Sequence, residues 1–277
     1  MSDCKPSIWR LALVMLLLTC ATFAMAEGAP VADRTPRLYI IGDSTVKNGS
    51  GKGADGLWGW GDPIAAYFDK SKITVVNRAL GGRSSRTYFT EGLWGRVLTD
   101  LKPGDFVLMQ FGHNDGGPLS GPKARASIKG NGDETQEVTD ARTGKKETVH
   151  SYGWYIRKYV SDAKAKGATP IVLSPIPRNM WKEGKVLRAS KDYGKWAEEA
   201  AKAQGAAFVD LNELIAKKYD ELGADKVKGF FPGDHTHTNL AGARFNAGTV
   251  VEGLKGLKDC PLCNDLAATA PTFEEKP

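Results

Sequence analysis

The segment LYIIGDST (Leu38–Thr45) has the sequence of a buried strand that runs into a turn. Its apolar residues, Leu38 to Ile41, predict the strand, and the Gly-Asp-Ser that follows is typical of a loop. Side chains in the loop after a strand face the crevice where open α/β sheets bind ligands. Ser44 is therefore a candidate functional residue, although serine is as common in turns for structural reasons alone.

Short apolar runs alternate with amphipathic stretches through the rest of the chain. The predicted strands are Leu38–Ile41, Ile73–Val76, Phe106–Met109, Ile171–Leu173 and Ala207–Val209. The predicted helices are Pro63–Asp69, Leu93–Leu101, Tyr152–Lys166, Ala189–Ala203, Leu211–Leu222 and Asn239–Leu257. This alternation indicates an α/β fold with a parallel sheet, because crossover helices cover both faces of such a sheet.

A pair that can activate Ser44 occurs near the end of the chain, in the sequence DHTH (Asp234–His237). A serine hydroxyl alone is a weak nucleophile at neutral pH, and it needs an adjacent base that a third group orients. His237 and Asp234 have the residue types for these two roles. The alternative is that Asp234 only caps the C-terminal helix.

Two segments between these ends offer hydrogen-bond donors for an oxyanion. Gly82 lies in NRALGGRSS (Asn77–Ser85), where a glycine pair lets a backbone N–H approach a ligand closely. Asn114 lies in FGHND (Phe111–Asp115), directly after a predicted strand, and can donate through its side-chain amide. Taken singly, a Gly-Gly pair usually marks a turn, and an Asn after a strand usually closes a loop.

The order Ser44, Gly82, Asn114 and Asp234 with His237 resembles the four motifs of the SGNH (GDSL-like) hydrolase superfamily. The resemblance extends over essentially the whole chain after residue 26. The segments GDST, GGRSSR, FGHNDGGPLSG and FPGDHTHT are similar to the corresponding motifs of the rhamnogalacturonan acetylesterase-like branch of this superfamily. Members of this branch remove acetyl groups from pectic polysaccharides. The resemblance implies a carboxylic ester hydrolase with a flavodoxin-like fold, a three-layer α/β/α sandwich with a central five-stranded parallel sheet.

The resemblance also implies a role for each of these residues. Ser44 would attack the ester carbonyl, His237 would take and return its proton, and Asp234 would orient the imidazole. The N–H groups of Ser44 and Gly82 and the amide of Asn114 would form the oxyanion hole. The expected reaction releases acetate from an acetylated polysaccharide or oligosaccharide without a cofactor or metal. Acetyl xylan or another acyl ester is the alternative substrate, and a catalytically inactive polysaccharide-binding protein is the alternative class.

Other kinds of site fit this sequence poorly. His235 and His237 form an HxH pair, but no Cys or His cluster near them completes a metal site. The Gly-rich stretch Asn48–Gly56 lacks the pattern of a phosphate-binding loop. Val46 occupies the final glycine position of a GxSxG elbow, which argues against the α/β-hydrolase fold. We therefore expect neither a nucleotide nor a nucleic acid as ligand.

Further candidate substrate contacts are Trp58, Trp60, Arg83, Arg86, Arg178 and His113. The tryptophans have ring surface that can stack on sugars, and the arginines have the forked guanidinium that binds uronate carboxylates. Each has a structural alternative. Core packing is the alternative for the tryptophans, anchoring of the second motif for Arg83 and Arg86, and packing at a strand end for His113.

The polar segment Gly116–Val149 interrupts the alternation of strands and helices. Within it, Gln136–Thr139 and Lys146–Val149 lie around Thr143-Gly144 and predict a β-hairpin. Because the segment follows Asn114, we expect it to overhang the site as a substrate-shaping flap. The alternative is a disordered insertion.

The two chain ends indicate an exported protein. Residues 1–26 have a basic start, an apolar run too short to span a membrane comfortably and a final Ala-Met-Ala, which predicts a signal peptide cleaved after Ala26. The catalytic domain then spans residues 27–263, in the periplasm or the medium, without stable membrane association. Residues 264–277 are expected to form a disordered tail.

Charge and cysteine content agree with export. The chain of 277 residues has a net charge of +6, which is compatible with an acidic polymer as substrate. Of its cysteines, Cys4 and Cys20 lie in the predicted signal peptide. Cys260 and Cys263 remain, and in an oxidising compartment they are expected to form a local disulfide. A thioredoxin-like redox site is not expected, because this pair has no βαβ context.

Overall fold

Parallel strands form the central sheet of the protein. The strands are, in chain order, β1 (Arg37–Gly42), β2 (Thr74–Asn77), β3 (Phe106–Gln110), β4 (Thr135–Thr139), β5 (Lys146–His150), β6 (Thr169–Leu173), β7 (Trp181–Lys182), β8 (Lys185–Val186) and β9 (Ala207–Val209). The central sheet has five strands in the order β2-β1-β3-β6-β9, and all of its pairs are parallel. In contrast, β4 with β5 and β7 with β8 form antiparallel hairpins.

The structure is a computed structural model that describes residues 1–2, 34–141, 143–189 and 191–272, and its helices lie within these ranges. The α-helices are α1 (Ser85–Thr90), α2 (Leu93–Asp100), α3 (Tyr152–Ala165), α4 (Tyr193–Ala203), α5 (Leu211–Leu222), α6 (Ala224–Lys228) and α7 (Leu240–Lys255). Short 3-10 helices are Ala54–Gly56, Pro63–Tyr67 and Pro261–Asp265. All of these elements belong to one compact unit, Ala32–Pro277. The predicted signal peptide, beyond its first two residues, lies outside the described residues, as does its cleavage position.

Side chains along each strand alternate between the two faces of the sheet. On one face, Leu38 and Ile40 of β1 pack in a buried cluster with residues of α5 and α7. On the other face, Tyr39 and Ile41 pack with residues of α1, α2, α3 and α4. All of these β1 side chains are fully buried, as expected for a parallel sheet covered on both sides. The predicted three-layer α/β/α sandwich with a central five-stranded parallel sheet is confirmed.

The strand order reverses at β1, which has β2 on one side and β3 on the other. The chain leaves β1 for β2 and then crosses back over β1 to form β3. In doubly wound sheets, the crevice beyond the carboxyl ends of the strands at such a switch point is the usual ligand site. Ser44 follows β1 and Asn114 follows β3, so both residues lie at this crevice.

The predicted strands of the central sheet are confirmed, each within two residues at either end. Helix α4 begins at Tyr193 and not at Ala189, because the Asp192 side chain caps it by accepting a hydrogen bond from Tyr193 N. Helix α1 was not predicted. It begins with a capping box in which Ser84 and Thr87 exchange side-chain and backbone hydrogen bonds.

The C-terminal region stays packed on the domain beyond Cys263. A disulfide joins Cys260 to Cys263, as predicted. Leu266 forms an isolated antiparallel bridge with Phe68, so the chain after the last 3-10 helix is bound to the domain. Residues 264–267, predicted from the sequence to belong to a disordered tail, are therefore packed on the domain, and residues 273–277 lie outside the described residues. In the described part of the chain, no helix has the length and apolar character needed to span a membrane.

Candidate active site

The loop after β1 holds Ser44 at the edge of the sheet. Asp43 Oδ1 accepts hydrogen bonds from the backbone N–H (2.9 Å) and the hydroxyl (2.7 Å) of Thr45. The carbonyl oxygen of Asp43 accepts further hydrogen bonds from Val46 N and Lys47 N. Because the Asp43 carbonyl oxygen and Oδ1 each accept two hydrogen bonds, the turn that presents Ser44 is formed before any substrate binds.

His237 lies beside Ser44 although 193 positions separate the two residues. His237 Nε2 is 2.8 Å from Ser44 Oγ, and His237 Nδ1 is 2.7 Å from Asp234 Oδ2. The other carboxylate oxygen, Asp234 Oδ1, accepts hydrogen bonds from the backbone N–H of Thr236 (2.6 Å) and of His237 (2.8 Å). The structure therefore brings the three predicted residues together in the order of a nucleophile, a base and an orienting carboxylate.

The segment that carries His237 is anchored on both sides. Trp58 N donates to the carbonyl oxygen of Thr238 (2.8 Å), and the Thr238 hydroxyl donates to the carbonyl oxygen of Trp58 (2.9 Å). On the other side, Asn179 N donates to the carbonyl oxygen of His235 (2.8 Å). These bonds hold the imidazole ring against the crevice, and they make His235 a backbone anchor of this segment.

Hydrogen bonding keeps Asp234 ionised. Partial burial acts to raise the pKa of Asp234, but hydrogen bonds from the His237 ring and from two backbone N–H groups outweigh it, and the pKa falls to about 2. The ionised carboxylate favours a proton on His237 Nδ1, which leaves Nε2 to accept the hydroxyl proton. Burial lowers the pKa of His113 in the same crevice, so this second histidine is held neutral.

Donors for an oxyanion lie beside Ser44. Gly82 has a φ of +77°, a left-handed conformation that glycine adopts without strain. No described residue accepts a hydrogen bond from the backbone N–H of Ser44 or Gly82. One amide hydrogen of Asn114 is donated to the carbonyl oxygen of Arg83 (2.9 Å), which orients the amide and leaves its second hydrogen available.

A cleft of about 600 Å³ surrounds these groups. It is lined by Ser44, Asn48, Gly49, Leu80, Gly81, Gly82, Arg83, His113, Asn114, Arg125, Arg178, Thr236 and His237. This lining contains arginines but no Asp or Glu. Arg83 is paired with Glu91 (2.9 Å), so the positive charge of the cleft comes from Arg125 and Arg178. The predicted substrate contacts Arg83, His113 and Arg178 belong to it, and Trp58 does not. Among the described residues, no cluster of three or more His, Cys, Asp or Glu could hold a metal ion.

Trp60 and Arg86 support the site from within the core. Trp60 is fully buried, and its Nε1 donates to Gln110 Oε1 (2.9 Å). Gln110 Nε2 in turn donates to the Thr45 hydroxyl (2.7 Å), which connects Trp60 to the nucleophile loop. Arg86 is 2% exposed and binds the Glu147 carboxylate through two hydrogen bonds of 2.7 and 2.9 Å. The predictions of substrate contact are corrected for both residues, because neither side chain reaches the cleft.

The insertion between β3 and α3 contains the predicted hairpin, β4 with β5, and this prediction is confirmed. The hairpin is bound to α1 by the Arg86–Glu147 pair and contributes no residue to the cleft lining, so the segment predicted to overhang the site, Gly116–Val149, does not do so through its hairpin. The part of the insertion that reaches the cleft is Arg125, whose Nη1 lies 3.4 Å from the carbonyl oxygen of Gly82. Sequence reasoning missed Arg125, and its only signal was its place in the insertion after Asn114.

The fold and the site together define a class of protein. A doubly wound α/β sheet presents a serine, a histidine and a carboxylate in one hydrogen-bonded row at its switch point, beside donors for an oxyanion. This combination is that of a carboxylic ester hydrolase. The family model described as GDSL-like Lipase/Acylhydrolase matches residues 40–245, and the chain belongs to this family.

The proteins similar to this chain include rhamnogalacturonan acetylesterases. The chain is 38% identical over 206 residues to the rhamnogalacturonan acetylesterase of Emericella nidulans, a match that covers 74% of this chain and 79% of that protein. It is 29% identical over 225 residues to a probable rhamnogalacturonan acetylesterase of Bacillus subtilis, with 79% of this chain and 93% of that protein covered.

Solved structures share the fold. A Bacillus subtilis protein superposes with a TM-score of 0.64 at 27% identity, over 80% of this chain and 56% of that one, so this chain spans little more than half of that protein. An acetylxylan esterase from Geobacillus stearothermophilus superposes with a TM-score of 0.53 at 18% identity, over 80% of this chain and 95% of that one. The second likeness shows the shared fold alone.

Proposed function

We propose that this protein is an exported carbohydrate O-acetylesterase that removes acetyl groups from rhamnogalacturonan, a pectic polysaccharide, through an acetyl-serine intermediate. The observation that carries the proposal is the row of hydrogen bonds from Asp234 through His237 to Ser44, 2.7 and 2.8 Å long. The substrate class is inferred from the two acetylesterase relatives that cover most of the chain. The positive charge of the cleft suits a polymer that carries uronate carboxylates.

The geometry supports a two-step acyl transfer. His237 Nε2 takes the proton of Ser44 as Oγ attacks the acetyl carbonyl carbon, and negative charge develops on the carbonyl oxygen. The N–H groups of Ser44 and Gly82 and the second amide hydrogen of Asn114 stabilise that oxygen. His237 then returns the proton to the departing sugar hydroxyl and leaves the acetyl group on Ser44. In the second step, water gives a proton to His237 as its oxygen attacks the acetyl-serine carbonyl, and His237 returns that proton to Ser44 Oγ as the C–Oγ bond breaks and acetate leaves.

Acetate release from a panel of acetylated polymers tests the substrate. Wild type is assayed on acetylated rhamnogalacturonan, acetyl xylan and acetylated glucomannan at equal acetyl concentration, with Ser44→Ala as the blank. We expect the largest kcat/KM on rhamnogalacturonan, because its carboxylates are attracted to the cationic cleft. Faster release from xylan would overturn the substrate and leave the serine mechanism in place. Release from none of the polymers would overturn the carbohydrate esterase itself.

Export is proposed from the sequence of residues 1–26 alone. The test is N-terminal sequencing of the protein recovered from the periplasm or the medium of an expressing bacterium. We expect the recovered chain to start at Glu27. Recovery only from the cytoplasm, with Met1 retained, would contradict export without affecting the esterase assignment.

A further inference from the structure

A second groove, of about 310 Å³, adjoins the cleft around Ser44. His113 and Arg178 line both the groove and the cleft, so the two form one continuous surface. We call the second groove the hairpin groove, because Met180 and Leu187, at the two ends of the β7–β8 hairpin, line it. Its further lining residues include Pro175, Pro177, Asp192 and Tyr193. Its volume is in the range of small-molecule sites, which begins at roughly 300 Å³. The acyl transfer described above makes no use of it.

Met180 and Leu187 give the hairpin groove an apolar wall that is open to solvent. They are 41% and 43% exposed, and apart from Met1 they are the exposed large hydrophobic residues of the described chain. Their position is fixed, since Leu187 N donates to the Met180 carbonyl oxygen (2.8 Å) across the hairpin. The neighbouring Val186 is buried, and its N–H donates to Asp220 Oδ1 (2.8 Å). A preformed apolar wall loses little conformational entropy when it binds a ligand.

Polar residues also line the hairpin groove, among them Arg178, Asp192 and Tyr193. Arg178 Nε and the Tyr193 hydroxyl are buried, and they have no hydrogen-bond partner in the described part of the chain. Buried polar groups in proteins normally have a partner, so a water beneath the groove surface is needed to complete their bonding. The Tyr193 ring is held edge-on between Tyr152 and Trp196, with centroid distances of 5.2 and 5.0 Å.

The charges of the hairpin groove balance. Arg188 also lines it, but this guanidinium is neutralised by Asp220 (2.6 Å) and Glu213 (3.2 Å). Arg178 and Asp192 remain, one cation and one anion. The groove therefore differs from the cationic cleft, and it attracts neither anions nor cations strongly. A neutral ligand with hydroxyl groups can use Arg178 as a donor and Asp192 as an acceptor.

We propose that the hairpin groove is a subsite for a neutral sugar ring of the polysaccharide, next to the ring whose acetyl ester lies at Ser44. The apolar face of the sugar packs on Met180 and Leu187, and its hydroxyls bond to the Arg178 guanidinium and the Asp192 carboxylate. The inference rests on the proposed function, since an ester on a single sugar leaves the groove unfilled. The competing occupant is a longer acyl chain.

Variants of the apolar wall test the subsite. Leu187→Asn and Met180→Ser are compared with Lys182→Ser, a control in the same hairpin whose side chain is 74% exposed outside the groove. The substrates are p-nitrophenyl acetate, p-nitrophenyl hexanoate, an acetylated monosaccharide and an acetylated rhamnogalacturonan oligosaccharide. We expect KM for the oligosaccharide to rise about tenfold in the wall variants, the effect of losing most of one buried apolar side chain. For the three small substrates we expect changes of no more than about twofold.

Each other outcome overturns the subsite in a distinct way. An equal loss on all four substrates would make the hairpin a purely structural element. A loss confined to the hexanoate ester would assign the groove to an acyl chain. An unchanged KM for the oligosaccharide would show that no sugar binds there. If wild type cleaves p-nitrophenyl acetate but releases no acetate from the oligosaccharide, the proposed function fails, and the subsite fails with it.

Discussion

Of the proposed oxyanion donors, Asn114 is the one that can be removed without altering the nucleophile, the base or the backbone. Asn114→Ala should lower kcat on p-nitrophenyl acetate about 100-fold or more, a loss of roughly 3 to 4 kcal/mol of transition-state stabilisation. KM should change little, because the donor is used mainly when charge develops. Steady-state kinetics measure both constants. Asn48→Ala, which removes another asparagine of the cleft lining, is the matched control. A raised KM with unchanged kcat would place Asn114 in ground-state binding instead.

At the scale of single residues, the sequence predicted a contact where one short motif contains both partners. Asp234 and His237 are three positions apart, so their pairing could be predicted from spacing. Trp60 and Arg86 were assigned incorrectly, because the partners that bury them lie 50 and 61 positions away in the chain. Local sequence contains no trace of such contacts, and a buried tryptophan or arginine cannot be told from a ligand-facing one by its neighbours.

At the scale of elements, the β4–β5 hairpin is bound to α1 by the pair of Arg86 and Glu147, whose side chains are 3% and 18% exposed. Arg86→Ala should lower the free energy of unfolding by about 3 to 5 kcal/mol, because it leaves a largely buried carboxylate without its partner. Urea denaturation measures this loss. Arg96→Ala, which removes an exposed arginine of α2, should change stability by less than about 0.5 kcal/mol. If Arg86→Ala were instead fully stable with a raised KM, Arg86 would be a substrate contact after all.

Asp115 connects the loop after β3 to the start of α1. Its carboxylate accepts hydrogen bonds from the backbone N–H and hydroxyl of Ser85 and from the Ser127 hydroxyl. Burial nevertheless raises the pKa of Asp115 to about 6. The unfolded chain therefore loses this proton at lower pH than the folded protein does. Stability contributed by the neutral form is present below about pH 4, falls as the pH rises to about 6 and is level above that.

The difference in unfolding free energy between wild type and Asp115→Asn isolates this titration. We expect wild type to lose about 2 to 3 kcal/mol relative to the variant between pH 4 and pH 6.5. Urea denaturation at a series of pH values measures the difference, and parallel curves for the two proteins would contradict it. If the variant does not fold, NMR titration of the Asp115 carboxyl carbon in wild type gives the same answer. A midpoint below pH 4 would then refute the raised pKa.

Element length explains which elements were predicted. The strands of the central sheet are buried apolar runs, and the long helices have enough turns to show periodicity. Helix α1 has six residues, and β7 and β8 have two each, so these elements are too short to show the periodicity of a helix or of a strand. These short elements depend on long-range bonds such as that from Val186 N to Asp220, which only the folded chain reveals. The hairpin groove is built on them and was not predicted for the same reason.

At the scale of the whole molecule, strand order decides which residues meet. The order β2-β1-β3-β6-β9 places the loops after β1 and β3 side by side, and α7 follows the segment that carries His237. The fold class and the catalytic row were predictable, because each motif lies where a predicted strand or helix begins or ends. The lining of the cleft was predictable only in part: Arg178 was predicted to contact substrate, but Arg125 was missed, since it comes from a loop whose path depends on packing across the domain.

The disulfide between Cys260 and Cys263 closes a short loop at the chain end. Because the stabilisation from a crosslink falls with loop length, its removal should cost no more than about 2 kcal/mol. The double variant Cys260→Ser with Cys263→Ser should therefore melt a few degrees below wild type and keep its esterase activity. Calorimetry with and without a reductant measures the shift, and a reductant should leave the variant unchanged. A large loss of activity in the variant would show that the C-terminal region supports the site directly.

The whole proposed reaction depends on Ser44 as the nucleophile, and a comparison of Ser44→Ala with wild type on p-nitrophenyl acetate tests that role. The substitution removes one oxygen from a side chain that is 9% exposed, so the fold should be retained, as circular dichroism and the melting temperature can verify. We predict that kcat falls by at least about 10⁴-fold, the loss typical when a catalytic serine is removed. Equal rates for the folded variant and wild type would contradict a nucleophilic role for Ser44.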